Sequence, residues 1–398
     1  MRRIFRTLPG LSLLLIFVAG GPAAADGELR SARFLAAIDA LTPIYAESAD
    51  LAEVPGISVA VAKDRRLVWT AGFGFENIEA GIPMTPRSRL RIGSIAKVMT
   101  AAAMARLYEQ GKINLDAPIR SLVPAWPEKR WPLTLRQLSG HTAGVRHYRD
   151  GAEFLMNRPF ASVTEGLSVF KDDPLLFKPG SRVSYSTFGW SLISAGLEAA
   201  ADQDFLHLMR LEVFGPLGME DTSADLKGVA IPHRSGFYEL DADGKLHPAP
   251  EVDNSYKWAG GGFLATTADV ARFAAAHARP GYLKRETLDL LFQRQKLTDG
   301  TITPYGLGWM VSFATYIETI ERRLPKAAQD VGRAIMEKYP FTVLHSGGSV
   351  GGTSIMLLSR RDGLTVVVSM NSSQGKGLPL LLALHTFDAF IRLSRSGP

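Results

Sequence analysis

Arg91-Ile92-Gly93-Ser94-Ile95-Ala96-Lys97 opens a long alanine-rich apolar stretch. A helix starting at Gly93-Ser94 puts a serine hydroxyl and a lysine amine three residues apart on one face. A serine hydroxyl attacks poorly until a base takes its proton. A lysine held among apolar neighbours has its pKa pulled down and can serve as that base. The positive end of the helix also favours an oxyanion forming there. Ser-x-x-Lys occurs by chance in most chains of this length, and the plain alternative is a helix-start serine beside a solvated lysine. The rest of the sequence has to decide between the two.

Upstream, Met1 to Gly27 carries Arg2, Arg3 and Arg6, then the apolar run Leu11 to Gly20, then Ala23-Ala24-Ala25 before Asp26. This is the three-part layout of a cleavable secretory signal, so residues 1–25 are expected to be a signal peptide and 26–398 one working domain. The apolar run is well short of the roughly 20 residues a bilayer core requires, and no later run is long enough, so no membrane anchor is expected after cleavage. The expected location is periplasmic or secreted. The 398 residues include no cysteine, which removes disulfides, thiol catalysis, cysteine-bound metal and lipid attachment at the cleavage site.

The formal net charge is +6, and the leader's three arginines carry half of it. Arg65-Arg66, Arg322-Arg323 and Arg360-Arg361 are scattered, which points to solvated surface charge and away from a nucleic-acid stripe. His141 and His147 are six apart with no acid placed between them as on a metalloprotease helix, and read as loop and packing residues. No metal and no organic cofactor is expected. Gly260-Gly261-Gly262 lacks the Gly-Lys-Ser/Thr of a phosphate cradle and reads as a tight turn before a helix near Thr267, with Thr266-x-x-Asp269 as its capping box. Asp172-Asp173 before a proline reads as turn chemistry. A 46% apolar content with balanced charge fits a globular chain of one large domain, or two sharing a core.

Ile57 to Ala62 and Leu67 to Gly72 are two β-rich runs about the polar turn Lys63-Asp64-Arg65-Arg66, a hairpin near the mature N-terminus. From about 95 to 275 helical periodicity dominates, as in Val98 to Tyr108, Gly189 to Ala201 and Thr267 to Ala276. Thr342 to Leu344, Ser354 to Leu358 and Leu364 to Met370 are strand-like, and Leu378 to Leu393 suits a closing helix. The expected fold class is α+β: an antiparallel sheet built from both chain ends and flanked by helices, plus a mostly helical region from the middle, with the active site between them.

Several stretches arrive in an order that resembles the serine β-lactamase and penicillin-binding-protein superfamily, on the class C β-lactamase, D-aminopeptidase and esterase side. They are Gly56 to Gly74, Arg91 to Lys97, Gly140 to Val145, Phe177 to Gly180 with Tyr185-Ser186-Thr187-Phe188-Gly189-Trp190, Ala259 to Phe263, Tyr305-Gly306-Leu307-Gly308-Trp309, and His345-Ser346-Gly347-Gly348. Val123 to Lys129, Gly144 to Tyr148 and Tyr256 to Gly262 are similar to the LACTB-like branch, which is peptidase-like. The resemblance implies a β-lactamase/transpeptidase-like fold and no cofactor. It implies Ser94 as a nucleophile forming an acyl-enzyme, Lys97 as its proton acceptor, and Tyr185 as second base and acid with phenolate character supported by Lys97. It also implies an oxyanion hole from the amides of Ser94 and Gly348, and a substrate-binding edge at His345, Ser346, Gly347 and Gly348.

Two departures matter. The usual Tyr-x-Asn is Tyr185-Ser186-Thr187 here, so Thr187 offers a short hydroxyl where an amide would contact substrate. His345 replaces the lysine of Lys-Thr-Gly and carries less positive charge near neutral pH, unless the site raises its pKa. Efficient β-lactamase activity is therefore not expected. The substrate is expected to be a small peptide, amide or ester. A short-chain carboxylesterase and a penicillin-binding sensor without efficient turnover stand as alternatives. Residues 314–339 are charged, helix-like and outside the family pattern: a solvated surface helix, with a lid or a self-association surface as the other reading. Oligomeric state is left open.

Overall fold

A computed structural model describes residues 28–51, 54–312, 314–316, 326–373 and 377–395. The expected signal peptide, residues 1–25, lies outside the described residues.

The runs on either side of Asp64-Arg65 form β1 (Gly56–Lys63) and β2 (Arg66–Asn77). Lys63 pairs with Arg66, and both turn residues take positive φ, 49° and 68°. A two-residue hairpin needs that conformation because its twist then matches the strands. From the other chain end come β3 (Thr342–Ser349), β4 (Gly352–Ser359) and β5 (Leu364–Met370). β5 pairs antiparallel with β1, from Leu364 opposite Lys63 to Met370 opposite Ile57, and so joins the two ends of the chain. Among the described residues the sheet has seven strands, ordered Leu29–Arg30, β2, β1, β5, β4, β3, with Ile82–Pro83 added on β2. β3 is thus an edge strand.

Helices cover both faces of this sheet. On one side α1 (Leu35–Leu51) and α6 (Leu378–Arg395) pack on Ile57, Val59, Val61, Ile355, Leu357, Val366 and Val368. The alternate residues Ala60, Ala62, Met356, Leu358 and Val367 enter a second core with α2 (Ala96–Glu109), α3 (Phe188–Ala201) and α4 (Thr267–Ala276). With both faces buried there is no solvent face for charged groups, and β5 is buried along its whole length, Thr365 and Ser369 included. Each fully buried Val, Leu or Ile contributes about 1.5–3 kcal/mol. α2 is buried on nearly every side, from Ala96 to Ala105, and its alanines let neighbouring elements approach closely.

Leu90–Arg91, Phe263–Ala265 and Ser223–Ala224 form a small sheet inside the helical region. It holds the chain just before Ser94 against the chain just after Gly262. The glycine run is therefore not a simple turn. Trp258–Gly261 is a short helix, and a strand follows it before Thr266 caps α4. The expected capping box is only half formed. Thr266 accepts from the Asp269 amide, but the Asp269 carboxylate turns to the Asp221 amide and the Thr222 hydroxyl. A complete capping box instead starts the helix at Leu135, between Thr134 and Gln137. Of residues 314–339, α5 (Lys326–Lys338) packs on α6 through buried Ile335, with Lys338 paired to Asp388. No helix among the described residues is long and apolar enough to cross a membrane.

Candidate active site

Ser94 sits in a single helical turn, Gly93–Ile95, that runs into α2. Gly93 has φ +50°, and a Cβ there would stand 2.6 Å from the Gly348 carbonyl oxygen, so glycine lets this turn lie against β3. From β3, Gly347 meets the same turn: its Cβ would lie 1.9 Å from the Ile92 carbonyl and 3.2 Å from the Ser94 nitrogen. At Gly348 the Cβ direction is open.

Lys97 lies one turn beyond Ser94 and is fully buried. Its Nζ is 2.9 Å from Ser94 Oγ, 3.1 Å from Thr187 Oγ1 and 2.5 Å from the Gly260 carbonyl. Burial, and secondarily Lys257, holds its pKa well below the ordinary lysine value. A neutral amine has two N–H donors and one lone pair. The Gly260 carbonyl can only accept, and donation to Thr187 uses the second N–H, so the lone pair is left for the Ser94 O–H. This is the arrangement of a nucleophile with its base.

Tyr185 precedes α3 and is held by two histidines. Its ring lies 4.4 Å from His141 and, edge-on, 5.5 Å from His147. The amides of Ser186 and Thr187 donate to His141 Nδ1 and His147 Nδ1, each at 3.2 Å. Both imidazoles must be neutral to accept there. Burial holds His141 well below the usual range and His147 down to about 4, with Lys97 adding to each. They are packing residues as expected, and what they pack is the Tyr185–Thr187 segment. Burial raises the Tyr185 phenol above its usual value, against a lowering hydrogen bond to Ser94. Burial thus favours the neutral phenol, against the phenolate character the resemblance implied.

His345 is buried, and its Nδ1 lies 2.6 Å from the Ser346 carbonyl, which can only accept. Burial, with Lys97 nearby, lowers its pKa to about 3, so the site does not restore the missing lysine charge. Thr187 is turned to Lys97 as an acceptor and also hydrogen-bonds Tyr148.

Ser94, Tyr185, Thr187, His345, Ser346 and Gly348 line one cavity of about 480 Å³. Lys97 lies behind Ser94, and Gly347 faces the Ile92 carbonyl. Sequence reasoning missed other parts of the wall: His147, Tyr148, Phe154, Lys257, Tyr305, Met310 and Tyr316. Tyr316, from the segment read as surface helix or lid, reaches the cavity and hydrogen-bonds Ser346. A lysine between two aromatics in Tyr256-Lys257-Trp258 was the available signal for Lys257. No cluster of acidic or histidine side chains suited to a metal occurs among the described residues.

The Beta-lactamase family profile matches residues 45–387. The chain is 29% identical over 411 residues to the human serine beta-lactamase-like protein LACTB, mitochondrial, covering 82% of this chain and 72% of that protein. It is 28% identical over 366 residues to esterase EstB of Burkholderia gladioli, covering 83% and 89%. The octameric penicillin-binding protein homologue from Pyrococcus abyssi has the same fold, with a TM-score of 0.72 at 24% identity over 89% of this chain and 77% of that one. The Ser94 turn, the buried Lys97 and Tyr185 thus sit in a fold shared with these proteins, and the chain belongs to the beta-lactamase family, aligning with its LACTB-like branch.

Proposed function

We propose that the protein is a secreted or periplasmic serine hydrolase that cleaves a small peptide, amide or ester through an acyl-enzyme, with domain 26–398 freed from a signal peptide at 1–25. The observation that carries this reading is the 2.9 Å contact between Ser94 Oγ and a fully buried Lys97 at the floor of an open cavity.

The steps follow from the donor and acceptor inventory. Ser94 gives its proton to the lone pair of Lys97 as its Oγ bonds to the substrate carbonyl carbon. The carbonyl oxygen becomes an oxyanion, met by the Ser94 amide at the start of the helical turn and the Gly348 amide on β3. The new ammonium keeps all three of its partners, because Ser94 Oγ, Thr187 Oγ1 and the Gly260 carbonyl each accept. As the bond to the leaving group breaks, Tyr185 protonates that group and is itself reprotonated from Lys97. Water then attacks the acyl-enzyme by the reverse proton route, releasing acid and free Ser94. The edge strand β3 offers Ser346 and Gly348 to an extended substrate beside Ser94.

Hydrolysis of penicillins is expected to be weak or absent, since Thr187 is engaged by Lys97 and His345 is neutral. Steady-state turnover of matched esters, anilides and a chromogenic cephalosporin tests the reading. Serine-dependent turnover of esters or anilides supports it. Ester turnover without anilide turnover selects a carboxylesterase. A stable penicillin adduct with no turnover of any substrate contradicts it in favour of a sensor.

A further inference from the structure

Lys257 is only 3% exposed, yet it lines the cavity that holds Ser94. It enters from the short 3-10 turn Ser255–Lys257, just before the segment whose Gly260 carbonyl receives Lys97. Its Nζ lies 5.6 Å from the Tyr148 ring centroid, 4.9 Å from Phe154 and 5.1 Å from Tyr256. Rings at these distances hold a cation through their faces while leaving its N–H groups uncommitted. Among the described residues its one polar contact is a long one, 3.5 Å to the Phe154 carbonyl. Lys257 has no ion pair among the described residues. Asp225 acts on it only at longer range and is itself bound to Arg91 and Arg234.

The cavity lining contains no aspartate or glutamate among the described residues. Lys97 is committed to Ser94, Thr187 and Gly260, and His345 is uncharged. Burial, with Arg91 adding to it, pushes the Lys257 pKa down to about 7, so near neutral pH it holds its third proton in only part of the molecules, and a carboxylate entering this carboxylate-free aromatic cavity completes its protonation and supplies the missing counter-charge. Burying such a group uncompensated is costly, so an anion entering the cavity gains more there than at the surface.

We propose that Lys257 is a specificity-determining residue that binds a carboxylate of the substrate, so that the preferred substrates carry a free carboxylate on an apolar or aromatic body. This rests on the serine hydrolase reading and names the substrate class of that site. The charge comes from an element other than β3, where His345 stands.

The test compares para-nitrophenyl hydrogen adipate with its methyl-capped counterpart, para-nitrophenyl methyl adipate, on wild type, Lys257→Met and Lys257→Arg. The readout is the ratio of kcat/KM for the free acid over the capped ester, which cancels any general loss of activity or folded protein. Wild type is expected to favour the free acid by about ten- to a hundredfold, the range of a charge-assisted hydrogen bond. Lys257→Met is expected to abolish that preference and Lys257→Arg to restore most of it. A wild-type ratio near one, or a ratio that Lys257→Met leaves intact, overturns the proposal while the capped ester still reports a working hydrolase. Failure of wild type to hydrolyse either ester overturns the hydrolase reading and this inference with it.

Discussion

Gly347→Ala and Gly348→Ala make the same chemical change at adjacent positions of β3, and the structure predicts opposite outcomes. At position 347 the new methyl would stand 1.9 Å from the Ile92 carbonyl oxygen, where real contacts do not fall under 3.0 Å. Backbone faces backbone, so no side chain can swing aside. The strand must retreat from the Ser94 turn by about 1 Å, and a misplacement of that size costs on the order of a hundredfold in rate. Overpacking costs about 1–3 kcal/mol, and with no flexible neighbour the upper end applies, a fall of roughly 5 °C in Tm. At position 348 a methyl meets nothing within 4 Å, so stability should stay within about 0.5 kcal/mol of wild type. The assay is kcat/KM on a para-nitrophenyl ester alongside thermal unfolding of both variants. Wild-type activity and Tm in Gly347→Ala, or equal destabilisation of the two, would refute the close approach of β3 to Ser94.

Lys97→Met should lower kcat/KM by about 10²–10⁴-fold, the usual worth of a positioned base, and a fall under tenfold counts against Lys97 as proton acceptor. Its pKa is depressed on folding, so below 10.5 the unfolded chain binds the extra proton. The Lys97 contribution to stability is fully present above that value and is lost as pH falls towards the folded pKa. Denaturant titrations across that range should show a shallower pH slope in Lys97→Met. His147 is likewise depressed, to about 4 from 6.5. Its contribution is present above pH 6.5 and is lost as pH falls through about 4, where protonation removes the acceptor for the Thr187 amide. A His147→Asn variant should lose part of this acid sensitivity in urea midpoints measured between pH 7 and 4. Thr187→Val keeps the shape and removes one acceptor from Lys97, so kcat/KM should drop about tenfold, the worth of one hydrogen bond to a charged group. An unchanged rate would assign Thr187 to packing alone.

Local pattern carried the sheet and the helices far. Leu364–Met370 and Thr267–Ala276 have the bounds their apolar periodicity marks. β3 runs past Thr342–Leu344 to Ser349 because pairing with β4, and not side-chain character, extends it through His345 and two glycines. Ser94, Lys97 and Tyr185 stood out as candidates because motif order fixes them along the chain, and the fold brings the three together. Lys257 did not stand out, since its character comes from Tyr148 and Phe154, about a hundred positions away. The raised phenol of Tyr185 was hidden for the same reason, because burial sets it and burial is a property of the assembled cores, whereas the low charge of His345 was legible from its residue type and burial lowers it further. The half-formed box at Thr266 shows the converse, a local signal overridden when Asp269 found the Asp221 amide and the Thr222 hydroxyl.

The central claim is that Ser94, activated by Lys97, is the nucleophile. Intact-mass spectrometry of the mature protein after exposure to a fluorophosphonate, wild type beside Ser94→Ala, tests it most directly. A single adduct on wild type, mapped to the Ser94 peptide and missing from Ser94→Ala, is the predicted result. Equal labelling of both proteins, or of neither, would contradict it.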